Sequence, residues 1–174
     1  MASIFTHPVV AIAFSPWVKK RHKGKVIFSG IILSIFPDID VIAFKFGIPY
    51  EHMFGHRGIT HSILFALLFS GTIARLITKS SKSAIWLYLF VCMVSHGILD
   101  ALTNGGLGIA FFAPFSSERY FLPIQPVQVS TLHVQHFFSE HGVTVLKSEL
   151  LYVWLPLLFL WGVNYFLCHI KKNT

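Results

Sequence analysis

The chain has 174 residues, 54% of them hydrophobic and only 12% charged, with a mean hydropathy of +0.66. Soluble domains carry about 25% charged residues, so a freely soluble protein is excluded, and the length allows one integral membrane domain spanning residues 1–174. The net charge of +7 lies in short clusters beside apolar runs, a membrane-orienting pattern that argues against nucleic acid as a partner.

The N-terminal residues 1–7 lack a basic region and a small-residue cleavage pattern, so no removable signal peptide is expected. The apolar run 8–18 is too short to cross a bilayer and predicts a short N-terminal helix that enters it partway. Lys19, Lys20, Arg21, Lys23 and Lys25 follow as a basic loop. Apolar runs at 26–46, 59–77, 84–103 and 150–169 are each close to the ~20 residues of a spanning helix. Arg75, Lys79 and Lys82 form the next basic loop, and Lys171 and Lys172 a last basic cluster, whereas the intervening loops are nearly balanced. The basic loops are therefore expected in the cytoplasm and the others outside. Residues 104–149 form the longest loop, with Pro114, Pro123 and Pro126, and a bare loop of that length is unusual, so it is expected to fold as an external cap. The expected fold is all-α: a polytopic membrane helix bundle of about four transmembrane helices, a short N-terminal helix and an external loop cap. Cys92 and Cys168 sit inside apolar runs and read as small core residues, not as a disulfide.

Ionisable side chains inside spans are costly, and here they share one depth. Counting 1.5 Å per residue from the nearest basic residue places His7, Asp38, His61, His96 and Asp100 about 18 to 27 Å up their helices, in one layer of the external half of the membrane. His96-x-x-x-Asp100 puts two ligand-type side chains on one helix face. Asp38 and Asp40 stand at i and i+2, which a straight helix would point apart, and Pro37 predicts a kink or unwinding there. His52, His56 and His61 cluster around Gly55 and Gly58. Imidazole and carboxylate without thiolate suit zinc, with manganese or iron as poorer fits. His22, His133, His141 and His169 read as interfacial or loop residues, and His136 with Glu140 as a weak further ligand pair.

Thr6-His7, Pro37-Asp38-Ile39-Asp40, the run from His56 to Ser62, Ser95-His96-Gly97-Ile98-Leu99-Asp100 and the run from Pro114 to Tyr120 together resemble the YdjM-like family of bacterial inner-membrane, metal-dependent hydrolases. That family is distantly similar to the zinc phospholipases C and P1-type nucleases, whose His and Asp ligands include an H-x-x-x-D pair matched by His96 and Asp100. The resemblance implies phosphoester hydrolysis at the external face of the inner membrane, on a lipid or lipid-linked phosphate. It implies zinc, two ions with a third open, held by His7, Asp38, Asp40, His61, His96 and Asp100, with His56 as a further ligand or supporting partner. Asp38 or Asp40 is the candidate base that orients the water, and Arg57 and Arg119 are candidates for neutralising phosphate charge. Nothing at Met1 matches the N-terminal tryptophan ligand of the phospholipases, and His7 is the candidate for that place. The rivals are a metal or proton transporter, which needs polar residues through the cytoplasmic half of the spans, and a non-catalytic protein with a structural metal. The apolar stretches 27–35, 64–73 and 85–94 argue against the first. The sequence leaves the oligomeric state open.

Overall fold

The computed structural model describes residues 1–18, 23–78, 82–130 and 139–173. The expectations for His22, His133 and His136 fall outside the described residues, as does the side chain of His169.

The fold is all-helical, and the described residues contain no strand beyond two isolated bridges. A short helix α1 (His7–Ala13) opens the chain with Pro8 in its first turn, where a missing N–H is harmless. Helix α2 (Lys23–Ile35) passes directly into a 3-10 segment (Phe36–Phe46) with Pro37 at its start. Pro37 cannot donate to a carbonyl one turn back, and at the site of the expected kink or unwinding the α pattern tightens into a 3-10 run. A 3-10 turn (Ile59–His61) precedes α3 (Ile63–Ile77), whose N-cap Ser62 accepts a hydrogen bond from Phe65 N. Helix α4 (Lys82–Ala101) is followed by the cap, and the chain ends in α5 (Glu140–Glu149), a π segment (Leu150–Trp154) and α6 (Leu155–Asn173).

Three helical stretches are long and apolar enough to cross a membrane: Lys23–Phe46, Ser83–Ala101 and Glu140–Leu167. The expected fourth, α3, is shorter at 15 residues. Residues 140–149 correct the expected boundary of the last loop, because they are helical and run without interruption into the last span. Their polar composition hid a helix whose buried positions Gly142, Val145 and Glu149 fall at helical spacing. Pro156, one residue into α6, has no N–H for the carbonyl one turn back, and the chain widens into a π turn just before it.

The core lies between α1, α2, α3 and α4, where Ala11, Val26, Leu33, Ala66, Leu89, Cys92 and Met93 are buried together. Cys92 is a free, buried thiol there. The last helix instead leaves Leu158, Phe159, Phe166 and Leu167 exposed, as a lipid-facing surface requires. Residues 104–130 fold back as a cap. The backbone of Leu122 bonds to Ala101, Ala110 to Arg57 and Ile63 to Phe111, and Ile109, Ala110, Ala113 and Val127 are buried beneath it.

Candidate metal centre

Four segments deliver side chains to one point: α1 brings His7, the 3-10 segment after α2 brings Asp38 and Asp40, the turn before α3 brings His61, and α4 brings His96 and Asp100. The loop ahead of the turn adds His56 and Arg57. All but Asp38 are buried, and Asp38 keeps 11% of its side chain exposed while both its carboxylate oxygens are covered.

The orientation of each imidazole follows from its partner. His96 Nδ1 lies 2.8 Å from the Ser34 carbonyl, which can only accept, so Nδ1 carries a proton, and in the neutral ring Nε2 is a lone pair. His61 Nδ1 lies 3.1 Å from Asp40 Oδ2, which fixes the same tautomer. Both Nε2 atoms then face one carboxylate: Asp38 Oδ1 is 3.2 Å from His96 Nε2 and 3.7 Å from His61 Nε2. In the neutral rings these lone pairs aimed at a carboxylate oxygen in a buried site repel, and either a proton or a metal ion between them relieves that repulsion. These two nitrogens, both oxygens of Asp38 and both nitrogens of His7 are buried without a hydrogen-bond partner. Ligands on a tetrahedral zinc with bonds of about 2.0–2.1 Å lie about 3.3 Å apart, close to the two separations found here. The donor set fits a metal ion. Asp38, His61, His96 and Asp100 offer ligand atoms within 4.8 Å of one another, and so do Asp40, His56 and His61.

The three aspartates differ in what they already hold. Asp38 has no donor. Asp40 takes His56 Nδ1 at 2.7 Å on one oxygen, and Thr60 Oγ1 at 2.6 Å, Arg57 N–H at 3.0 Å and His61 on the other. That saturation makes Asp40 the residue that orients His56 and His61. Asp100 accepts the Ala2 N–H at 2.7 Å and the Arg57 Nε–H at 3.1 Å. His7 stacks on His96 with ring centroids 3.8 Å apart and sets Nε2 3.7 Å from Asp100 Oδ1.

Neither arginine presents an open fork. Arg57 is fully buried and donates to Asp100, to Thr103 Oγ1 at 3.1 Å and to the Gly105 carbonyl at 2.8 Å. Its backbone is left-handed at φ 62°, held by its own N–H on Asp40 and its carbonyl on Ala110 N. Arg119 is half-buried, gathers the carbonyls of His56 and Tyr50 at 3.1 and 2.9 Å, and lies over the Tyr50 ring. Burial lowers its pKa from the ordinary arginine value and raises that of Tyr50. Both arginines thus brace the loop that carries His56 and His61. The side chain of His52 is exposed and accepts from the nearby Phe54 N, and His141 bonds to the Val129 carbonyl, outside the cluster.

Three participants carried no sequence signal. The Ser34 carbonyl is backbone. Ala2 is apolar and acts through its N–H. Glu149 looked like a loop acid, yet it is fully buried and takes both the N–H and the hydroxyl of Ser3. Its only trace was an acid at a helical spacing from Gly142 and Val145, which becomes visible once 140–149 is read as a helix.

A helical membrane bundle with an interior His/Asp cluster able to hold a metal ion is thereby defined. The chain belongs to the family described as YdjM inner membrane protein, which it matches over residues 1–173. It is 38% identical to the inner membrane protein YbcI of Escherichia coli over 94% of this chain and 96% of that protein. It is 34% identical to the protein YvsG of Bacillus subtilis over 48% of this chain and 54% of that one. The protein is an inner-membrane protein, and no solved structure matches it.

Proposed function

We propose that the protein is a metal-dependent hydrolase that cleaves a phosphoester of a lipid or lipid-linked phosphate, with its site toward the external face of the inner membrane. The observation that carries the reading is the convergence of the buried Nε2 atoms of His61 and His96, neither with a hydrogen-bond partner, on the Asp38 carboxylate, whose two oxygens also lack one. A His₂Asp set supplies three protein ligands, the number that leaves a coordination position for water or substrate. Zinc in such a place supplies Lewis acidity toward a phosphoryl oxygen and an acidified water. Asp38, His61 and His96 hold the ion, and Asp40 keeps His61 in the ligating tautomer. His7 and Asp100 are the donors for a second ion at the neighbouring wall. Asp38 is the least buried member of the cluster, its side chain 11% exposed although both oxygens are covered, so substrate would approach on that side, beside the exposed side chains of Ile39 and Ile42, an apolar flank suited to an acyl or polyprenyl chain.

Transport is disfavoured by the packed apolar layer of Leu33, Ala66, Leu89 and Met93 that the described residues set beside the cluster. A structural metal is favoured by one observation, the complete burial of His61 and His96 side chains. The two separate by experiment: purify the protein in mild detergent, measure zinc per chain by elemental mass spectrometry, and assay hydrolysis of a short-chain phospholipid and an aryl phosphate. The hydrolase reading expects bound zinc and turnover, both lost in Asp38→Asn. Zinc without turnover leaves a structural metal, and a metal-free, correctly folded protein that recovers none on reloading sinks both.

A further inference from the structure

Helices α3 and α4 pack through small residues, since Ala66, Ser70 and Ala74 recur every fourth position of α3 and are all buried. Beside that seam, at the end of the helix pair away from His61 and His96, lies a groove of about 340 Å³ lined by Leu67, Leu68, Gly71, Arg75, Ser83 and Trp86. Its floor exists because Gly71 has no side chain. A Cβ there would stand 3.3 Å from Trp86 Nε1 and 3.9 Å from Arg75 Nη1. The indole is fixed across the groove by its hydrogen bond to the Leu67 carbonyl at 3.1 Å.

Arg75 is the unusual wall. A lone arginine in the last turn of a spanning helix ordinarily extends toward water. Here Nη1 lies back over Gly71, one turn toward the membrane interior, and no ion pair among the described residues involves it. A cation without an anion, at the mouth of an apolar slot with an indole at its side, matches an amphiphile with a negative head and a hydrocarbon tail. An arginine fork suits a phosphate diester, and Ser83, which lines the groove from α4, carries a hydroxyl able to donate.

We propose that this groove binds one anionic phospholipid, its phosphate on Arg75 and Ser83 and an acyl chain along Leu67, Leu68, Gly71 and Trp86. The site is separate from the metal cluster and stands whether or not the protein is a hydrolase.

The test uses the full-length protein, delipidated in detergent. Native mass spectrometry follows retention of phosphatidylglycerol against phosphatidylcholine of the same chains. Wild type is expected to retain the anionic lipid preferentially. Arg75→Gln should reduce that preference about fivefold, the worth of one basic residue at a lipid surface, while Arg75→Lys keeps most of it. Gly71→Leu, which fills the floor without changing charge, should lower retention of both lipids. In parallel, lipids brominated on the acyl chain are used to quench tryptophan fluorescence in wild type and Trp86→Phe. The Trp86 contribution should be quenched more by brominated phosphatidylglycerol than by brominated phosphatidylcholine, and this readout needs no groove-filling variant to fold. Equal retention of the two lipids, no effect of Arg75→Gln, or equal quenching of Trp86 by both would overturn the proposal. Displacement of the lipid by millimolar inorganic phosphate would also overturn it, since the occupant would then be a free anion.

Discussion

Arg57 Nε stands 3.1 Å from Asp100 Oδ2, and neither side chain has any exposed surface. The same guanidinium bonds to Thr103 and Gly105, so one buried cation ties the loop after the 3-10 segment to the end of α4 and the start of the cap. Removing one member of a buried pair strands the other charge, at a cost of about 3–5 kcal/mol. Arg57→Ala is therefore expected to fold poorly and to lose most of its thermal midpoint in detergent, followed by tryptophan fluorescence. The reading of Arg57 as a brace is lost if the midpoint stays within a degree or two of wild type.

Asp40 and Asp38 are expected to respond differently to the same isosteric change. Asp40→Asn keeps the shape but weakens its hold on His56 and His61, so zinc affinity should fall about 10- to 100-fold, the usual effect of losing an orienting partner. Asp38→Asn removes the undonated carboxylate itself and should abolish stoichiometric zinc. Competition with a fluorescent chelator measures both. Equal losses in the two variants would put Asp40 among the ligands, within the group it forms with His56 and His61.

This division between the two aspartates shows where the sequence stops being legible. The spans were readable because lipid demands long apolar runs, and the shared depth of His7, Asp38, His61, His96 and Asp100 followed from the helix rise alone. Pro37 announced the change of helix type. In the resulting 3-10 segment, with about 3 residues per turn, positions i and i+2 diverge less than in an α-helix, so both reach His61 while Asp38 also turns to His96 and Asp40 to His56 and Arg57. Nothing local tells which way each will turn. Arg57 read as a candidate phosphate-binding arginine for the same reason: its burial depends on Asp100 and Thr103, both more than 40 residues away.

Glu149 and Ser3, 146 residues apart, make a second long-range tie. Glu149 accepts two hydrogen bonds from Ser3, and the neighbouring Ala2 N–H reaches Asp100, so the start of the chain is stitched between two buried carboxylates. Ser3→Ala removes the hydroxyl donor but keeps the N–H, and should cost about 1 kcal/mol. Glu149→Ala leaves both donors of Ser3 buried and unsatisfied, and should cost more, about 1–3 kcal/mol for each group. Thermal midpoints of the two variants in one detergent check the order. A larger loss for Ser3→Ala would mean that Glu149 finds a substitute partner.

Glycine substitutions give the sharpest contrast. Gly58 lies in the loop between Arg57 and the turn that carries His61, and a Cβ there would sit 2.1 Å from the Met53 carbonyl oxygen. The obstacle is backbone, tied by the Ile59 N–H to that same oxygen at 2.9 Å, so relief requires moving the loop and with it His61. Gly58→Ala is expected to reduce folded yield severely and to remove zinc from whatever protein survives. Gly24, in the first turns of α2, has nothing within 4 Å of its added Cβ. Gly24→Ala should stabilise that helix by up to about 1 kcal/mol, because alanine is the better helix former. Folded yield by size-exclusion chromatography and zinc content, measured on both variants side by side, decide the matter. A well-folded Gly58→Ala that retains zinc would show that the tight approach to Met53 does not position His61.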